Sequence, residues 1–307
     1  MFRIAVQTGG AQRVLGIEEA YRVIKEAGFD AVDANVDFLF DTNDVRAKNI
    51  PPAFKPGLTD RETLEYFKPW ANGAKRFGLE NYQAHAPFPS LNNEVRDDEY
   101  DAFLMDVLRR SILGCASIGC RNLVIHPFYM KYEAMMTKEE EWEINLERYG
   151  RLAKTAKEEG VTILLENMFV RNGTKIMAAI CNDGEEAARY VDALNEAAGA
   201  ECFGFCLDTG HALLVGKDIR RFMQILGSRI KAFHVHDNNG TDDQHLAPYM
   251  GIQDWPRFIE GLKEIRFDRT LSFETFMIWR RIDPALCPQM MRFIAETGRR
   301  FAWLAEG

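Results

Sequence analysis

All six histidines and three of the carboxylates in this chain fall at one kind of place, the polar end of an apolar run or the loop just after it. The histidines are His85 in NYQAHAPF, His126 in NLVIHPF, His211 in CLDTGHA, His234 and His236 in IKAFHVHDN, and His245 in DDQHLAP. The acids are Glu166 closing VTILLE, Asp208 closing FGFCLD and Glu274 in TLSFET. Imidazoles and carboxylates gathered from successive strand ends make a ligand set for a divalent metal. Each residue alone has a plainer role. A single His is commonly a hydrogen-bonded structural residue, Asp208 would cap a following helix, and Asp242 and Asp243 in GTDDQ would be turn residues. Glu166 or Glu274 would be half of a buried ion pair. Repetition favours the metal: His85, His126, Glu166, Asp208, His234 and Glu274 follow one another at spacings of 41, 40, 42, 26 and 40 residues.

Those spacings are the lengths of strand-plus-helix units. Strands are expected in FRIAVQ, AVDANVDF, NYQAHAPF, NLVIHPF, VTILLEN, FGFCLDTG, IKAFHVHD and TLSFETF. Helices are expected in GIEEAYRVIKEAGF, TDRETLEYFKPWANGAKRFG and DEYDAFLMDVLRRSILGCASIG, the last with Phe103, Leu104, Val107, Leu108 and Ile112 on one face. Gly28, Gly78, Gly119 and Gly160 stand where these helices should stop. Runs such as VTILL and FGFCL are apolar on both faces, as buried parallel strands are. Eight strands in strict alternation close most simply into an α/β (β/α)8 TIM barrel, a single domain over residues 1–307. A doubly wound open sheet is the rival, weakened because QTGGAQ is not a G-x-G-x-x-G phosphate loop. In a barrel, the polar strand ends meet at the C-terminal mouth.

The bulk numbers fit an ordinary globular protein. A hydrophobic fraction of 47% and a charged fraction of 27% describe a globular chain with a large core, and a net charge of −8 argues against nucleic acid as a partner. The six cysteines form no C-x-x-C pair, no apolar run approaches a membrane span, and MFRIAVQTGG has no signal-peptide character. A cytoplasmic location without membrane contact is expected, with a homo-oligomer left open.

AHAPF, LLEN, CLDTGHA, KAFHVHDN, DQHLAPYMGIQDW and SFET resemble motifs of the xylose isomerase-like TIM barrels, which include sugar phosphate isomerases, epimerases and the endonuclease IV group. The resemblance covers nearly the whole chain and departs from the sugar-enzyme pattern at Tyr249 and Met250. In the epimerase branch it implies one divalent metal, manganese first, with zinc, magnesium or cobalt as other candidates. The ligands would be Glu166, Asp208, His234 and Glu274, with His211 against the substrate. The implied function is a carbohydrate isomerase or epimerase that abstracts a proton next to a carbonyl through a metal-bound enediolate. Glu166 and Glu274 would be the acid/base pair, and His211, as a neutral imidazole, a further catalytic group. His85, His126, His236, Asp243 and His245 would bind substrate or additional metal. A lyase or dehydratase of the inosose dehydratase or C-glycoside-cleaving kind could use the same site. The resemblance to endonuclease IV implies instead a trinuclear zinc phosphodiesterase, whose extra ligands match His85, His126, His211, Asp243 and His245. The acidic charge and Gly210, where that branch has Cys, point away from it. The aromatic residues Phe88, Phe128, Tyr129, Phe169 and Trp279 would either wall the mouth or pack loops.

Overall fold

A computed structural model describes residues 2–36, 59–131 and 136–307. Eight strands run parallel around one barrel: β1 (Ile4–Gln7), β2 (Ala31–Asn35), β3 (Glu80–His85), β4 (Asn122–Val124), β5 (Thr162–Glu166), β8 (Phe203–Asp208), β9 (Ile230–His234) and β10 (Leu271–Phe273). β1 pairs with β10 on one side and β2 on the other. Just past β9, Val235 bridges Phe273, with Val235 N donating to Ser272 O and Glu274 N to Val235 O. These bonds close the barrel. The chain is thus the expected (β/α)8 TIM barrel, and each expected strand is present.

Most strands stop sooner than their apolar runs do. β4 ends at Val124, so His126 lies two residues beyond it, and β10 ends before Glu274. Asp37 and Phe38, the end of the expected second strand, lie outside the described residues. The run TDRETLEYFKPWANGAKRFG forms two helices, Asp60–Glu65 and Lys68–Phe77. Pro69 explains the break, since proline starts a helix more readily than it continues one. Gly78 and Gly160 end their helices at φ 60° and 63°, left-handed values that cost glycine nothing. On helix Asp98–Ser117, Leu104, Val107, Leu108 and Ile112 are buried as expected, while Phe103 is only half-buried.

One pair of strands was not anticipated. β6 (Phe169–Asn172) and β7 (Lys175–Ala178) form an antiparallel hairpin at the mouth, joined through Gly173 at φ 60°. Asn172-Gly173 was its signal in the sequence.

Period-two alternation explains the layering inside the barrel. Ala5, Ala31, Val124, Leu164, Cys206 and Ala232 form a buried apolar layer. Two residues further along the chain from these six stand Gln7, Asp33, His126, Glu166, Asp208 and His234. Residues i and i+2 share a face, so the polar layer sits directly above the apolar one. All six cysteines are free and buried. Among the described residues no helix is long and apolar enough to cross a membrane.

Candidate metal centre

Three carboxylates converge on one ring nitrogen. Glu166 Oε1 lies 3.1 Å from His234 Nδ1, Glu274 Oε2 3.6 Å and Asp208 Oδ2 3.9 Å. Asp208 and His234 are fully buried, and Glu166 and Glu274 nearly so. Three acids packed around an imidazole are costly without a compensating cation. Glu166 Oε2 is buried, with only the ring nitrogens of His126 and His85 near it, at 3.2 and 3.6 Å. The donor set therefore fits a divalent metal. Glu166, Asp208, His234 and Glu274 would hold it, and Asp208, His234 and Glu274 already bring donor atoms within 4.8 Å of one another.

Neighbouring groups hold these side chains in place. Gln7 Nε2 donates to Glu274 Oε1 at 2.7 Å, and the His211 backbone N–H donates to Asp208 Oδ1 at 2.6 Å. Asn167 ties the end of β5 to the end of β8: its Nδ2 donates to Asp208 O at 2.9 Å and its Oδ1 accepts from Asp208 N at 2.8 Å. Asp33 Oδ2 stands 3.3 Å from the far nitrogen of His234 and accepts from Gln83 Nε2. Gln7, Asp33 and Asn167 were not singled out from sequence. Gln7 and Asp33 are inward, second-next neighbours of apolar barrel residues, and that pattern would have found them.

The other candidates separate into two further groups. His85 Nε2 and His126 Nε2 are 3.1 Å apart, with Glu166 Oε2 at 3.6 and 3.2 Å from them. Across the mouth, Asp243 Oδ2 lies 3.0 Å from His245 Nε2 and 3.6 Å from His211 Nε2. The Nδ1 atoms of His85, His211 and His245 sit 2.6, 2.8 and 3.0 Å from the backbone oxygens of Ala86, Asn167 and Glu274. An Nδ1–H donating there leaves Nε2 of each ring facing the acids, the arrangement that orients a histidine ligand. His236 is placed differently. It lies beneath the cavity with Nε2 3.1 Å from Asp208, and its ring fills the space over Gly210, where a Cβ would come within 1.9 Å of Cε1. That contact is the physical reason for glycine at 210.

The protein's own charges set the protonation of the rings when no metal is bound. Burial opposes charge on Glu166, but His234 and hydrogen bonds from His126, His234 and His85 prevail and hold its pKa well below the usual carboxylate range. Burial dominates at His126 and pushes it down to about 4. At His211 burial is outweighed by Asp208 and Asp243, and the pKa is raised well above the usual value. The neutral imidazole expected from sequence is thus disfavoured in the metal-free protein. At His245 burial is likewise outweighed, by Asp243 and Glu274, and the pKa rises to about 9. A pKa raised on folding gives stability that is present below the unfolded value of about 6.5 and lost as pH rises through the folded one. The metal-free protein should therefore lose thermal stability between about pH 6.5 and 9 through His245. Melting curves across that range would show it, and a flat profile would count against these pairings.

A cavity of about 440 Å³ opens above the centre. Glu166, Glu274, His211, His85, His126, Asp243 and His245 face it, whereas Asp208, His234 and His236 do not. Of the expected aromatics, Phe88, Tyr129 and Phe169 line it. Phe128 and Trp279 are buried in packing instead, Phe128 against Tyr149 and Trp279 over Gly10.

Residues 21–297 match the family model described as xylose isomerase-like TIM barrel. The chain belongs to this family. Among curated relatives, the inosose isomerase of Bacillus subtilis is 26% identical over 187 residues, 59% of this chain and 63% of that protein. A probable endonuclease 4 of Staphylococcus aureus is 27% identical over 174 residues, 53% of this chain and 54% of that one. The matched stretch thus spans less than two thirds of either relative. An L-ribulose 3-epimerase structure superimposes with TM-score 0.69 at 18% identity, covering all of this chain and 99% of that one. The IolI protein with a bound zinc atom gives 0.66 at 17% identity, covering 97% of this chain and 96% of that one. At such identities the structural likeness carries the barrel fold shared by the family.

Proposed function

We propose that this xylose isomerase-like barrel is a divalent-metal-dependent carbohydrate isomerase or epimerase that abstracts a proton next to a carbonyl. One observation carries the reading. Glu166, Asp208 and Glu274 converge on His234, yet of these four only Glu166 and Glu274 also form the cavity wall. Asp208 and His234 are thereby limited to holding the cation, while the two glutamates meet both cation and substrate. Three carboxylates and an imidazole suit manganese, and zinc, magnesium or cobalt as well. Bound there, the metal supplies positive charge beside the carbonyl oxygen and favours the enediolate.

The remaining chemistry belongs to the side chains. Glu166, kept ionised by its imidazole neighbours, is competent to take a proton. Glu274, held by Gln7, comes from a strand separated from β5 by β8 and β9, so the two carboxylates reach the cavity from different sides. Proton removal on one face and return on the other is what epimerisation needs. The cavity suits a small carbohydrate in volume, and Phe88, Tyr129 and Phe169 offer it an apolar wall. The reaction class agrees with the names of the inosose isomerase and L-ribulose 3-epimerase relatives.

The test is incubation of metal-loaded protein with candidate ketoses in D2O. Deuterium should enter at the carbon beside the carbonyl, read by NMR. A substrate that turns over while keeping all its carbon-bound hydrogen would sink proton abstraction and leave hydride-shift isomerisation. His211 adds a second expectation. His211→Asn should lower kcat by roughly 10²–10³, the range for losing one donor to a developing oxyanion, with metal content unchanged. Loss of a metal with that change would make His211 a ligand.

A second reading rests on the two additional donor groups. His85, His126 and Glu166 form one, and His211, Asp243 and His245 the other, giving the nine positions a trinuclear phosphodiesterase would need. Metal count per chain separates the readings: one ion supports sugar chemistry, three support phosphodiester hydrolysis.

A further inference from the structure

We infer that His236 is the positioning residue that aims Asp208 at the metal, and that position 210 is glycine to make room for it. The inference rests on the metal reading above and gives a task to a histidine that the cavity does not reach. Asp208 has two tasks of its own. It is the N-cap of helix Thr209–Leu214, where Oδ1 accepts from the His211 backbone N–H at 2.6 Å. It must also present Oδ2 to the centre, where that oxygen stands 3.9 Å from His234 Nδ1. Capping alone fixes one oxygen and leaves the carboxylate free to turn about it. His236 removes that freedom, because its Nε2 lies 3.1 Å from both Oδ1 and Oδ2. An ionised carboxylate only accepts, so Nε2 carries the proton and donates. A hydrogen bond from outside the ligand ring is what orients a carboxylate ligand toward its metal.

Packing holds the ring in that pose. His245 stacks on its face with centroids 4.2 Å apart. Gly210 lies against the edge that carries both nitrogens, where a Cβ would come within 1.9 Å of Cε1 and 2.5 Å of Nδ1 and Nε2. The backbone is held as well. Thr209 Oγ1 donates to His236 O at 2.9 Å and accepts from His236 N at 3.1 Å, and Asn238 Nδ2 donates to Gly210 O at 2.9 Å. Asp208, Thr209 and Gly210 at the exit of β8 thus each meet His236 or Asn238 at the exit of β9. His236 and Asp208 are both fully buried, so bulk water does not share the carboxylate with the ring. A donor atom of His236 also lies within 4.8 Å of donors on His245 and Glu274, which makes a ligand role the rival to be tested.

Zinc affinity of the metal-free protein, read by chelator competition, tests this, with melting of the same samples reporting the fold. His236→Leu should weaken zinc by about 10–100-fold, the scale for losing such an orienting partner. His236→Gln should keep wild-type affinity, because its amide N–H reaches as far as Nε2. Gly210→Ala should weaken zinc about tenfold by pushing the ring aside, the low end of that scale, and should cost nothing further in a His236→Ala background. Residue 210 is helical, and the nearest atoms to a Cβ there all belong to His236. The inference is overturned if folded His236→Leu protein binds zinc as the wild type does, if His236→Gln loses as much as His236→Leu, or if Gly210→Ala acts equally without the imidazole. Fewer bound ions in His236→Leu, with the rest held as tightly as before, would make His236 a ligand and overturn it too. Wild-type protein that binds no zinc would bring down the metal reading and this inference together, whereas failure confined to the variants strikes this inference alone.

Discussion

In Glu274→Gln protein, solvent exchange of the carbon-bound proton falls by roughly 10²–10⁴, the contribution of a positioned acid or base. Glu274 faces the cavity, sits 3.6 Å from His234 Nδ1 through Oε2, and receives Gln7 Nε2 on Oε1. Gln7 thus fixes the carboxylate's orientation, and glutamine at 274 would keep much of the shape while losing the proton-carrying oxygen. Exchange should be measured by NMR at saturating metal, with metal content determined on the same sample, so that weakened ligation is not mistaken for lost chemistry. Undiminished exchange with full metal content would move proton transfer away from Glu274.

The second large effect is on the metal itself. Protein carrying both Glu166→Ala and Asp208→Ala should retain little or no divalent ion after purification without chelator, as read by elemental analysis. These residues supply two of the three carboxylates around His234, and both are buried where no outside group can replace them. Affinity among divalent cations follows ligand type and geometry, so removing two anionic oxygens leaves one carboxylate and one imidazole. The result that refutes the assignment is unchanged metal content in a folded double variant. A folded, metal-depleted protein would instead place the ion as argued, and its residual count would show whether the two outlying donor groups hold ions of their own.

Much of this protein is legible in its sequence because the controlling pattern is local. Parallel strands buried on both faces need continuous apolar runs, and the inward residue at the end of each run is free to be polar. Leu164 followed by Glu166, Cys206 by Asp208 and Ala232 by His234 show that step within a few residues of chain. Barrel, mouth and ligand candidates follow from it. What the sequence could not decide depends on groups far apart in the chain and close in space. Gln7 meets Glu274 across 267 positions, and Asp33 meets His234 only because β2 and β9 face one barrel interior. Glycine at 210 has its reason in His236, 26 positions on, whose ring fills the space a Cβ would need. Even the ring nitrogen that His85, His211 and His245 turn to the acids is settled by a carbonyl, those of Ala86, Asn167 and Glu274, whose position depends on where the strand before it ends. Residue type and strand periodicity are written along the chain, whereas a ring's orientation and a carboxylate's partner arise only when eight strands close and bring both ends of the sequence together.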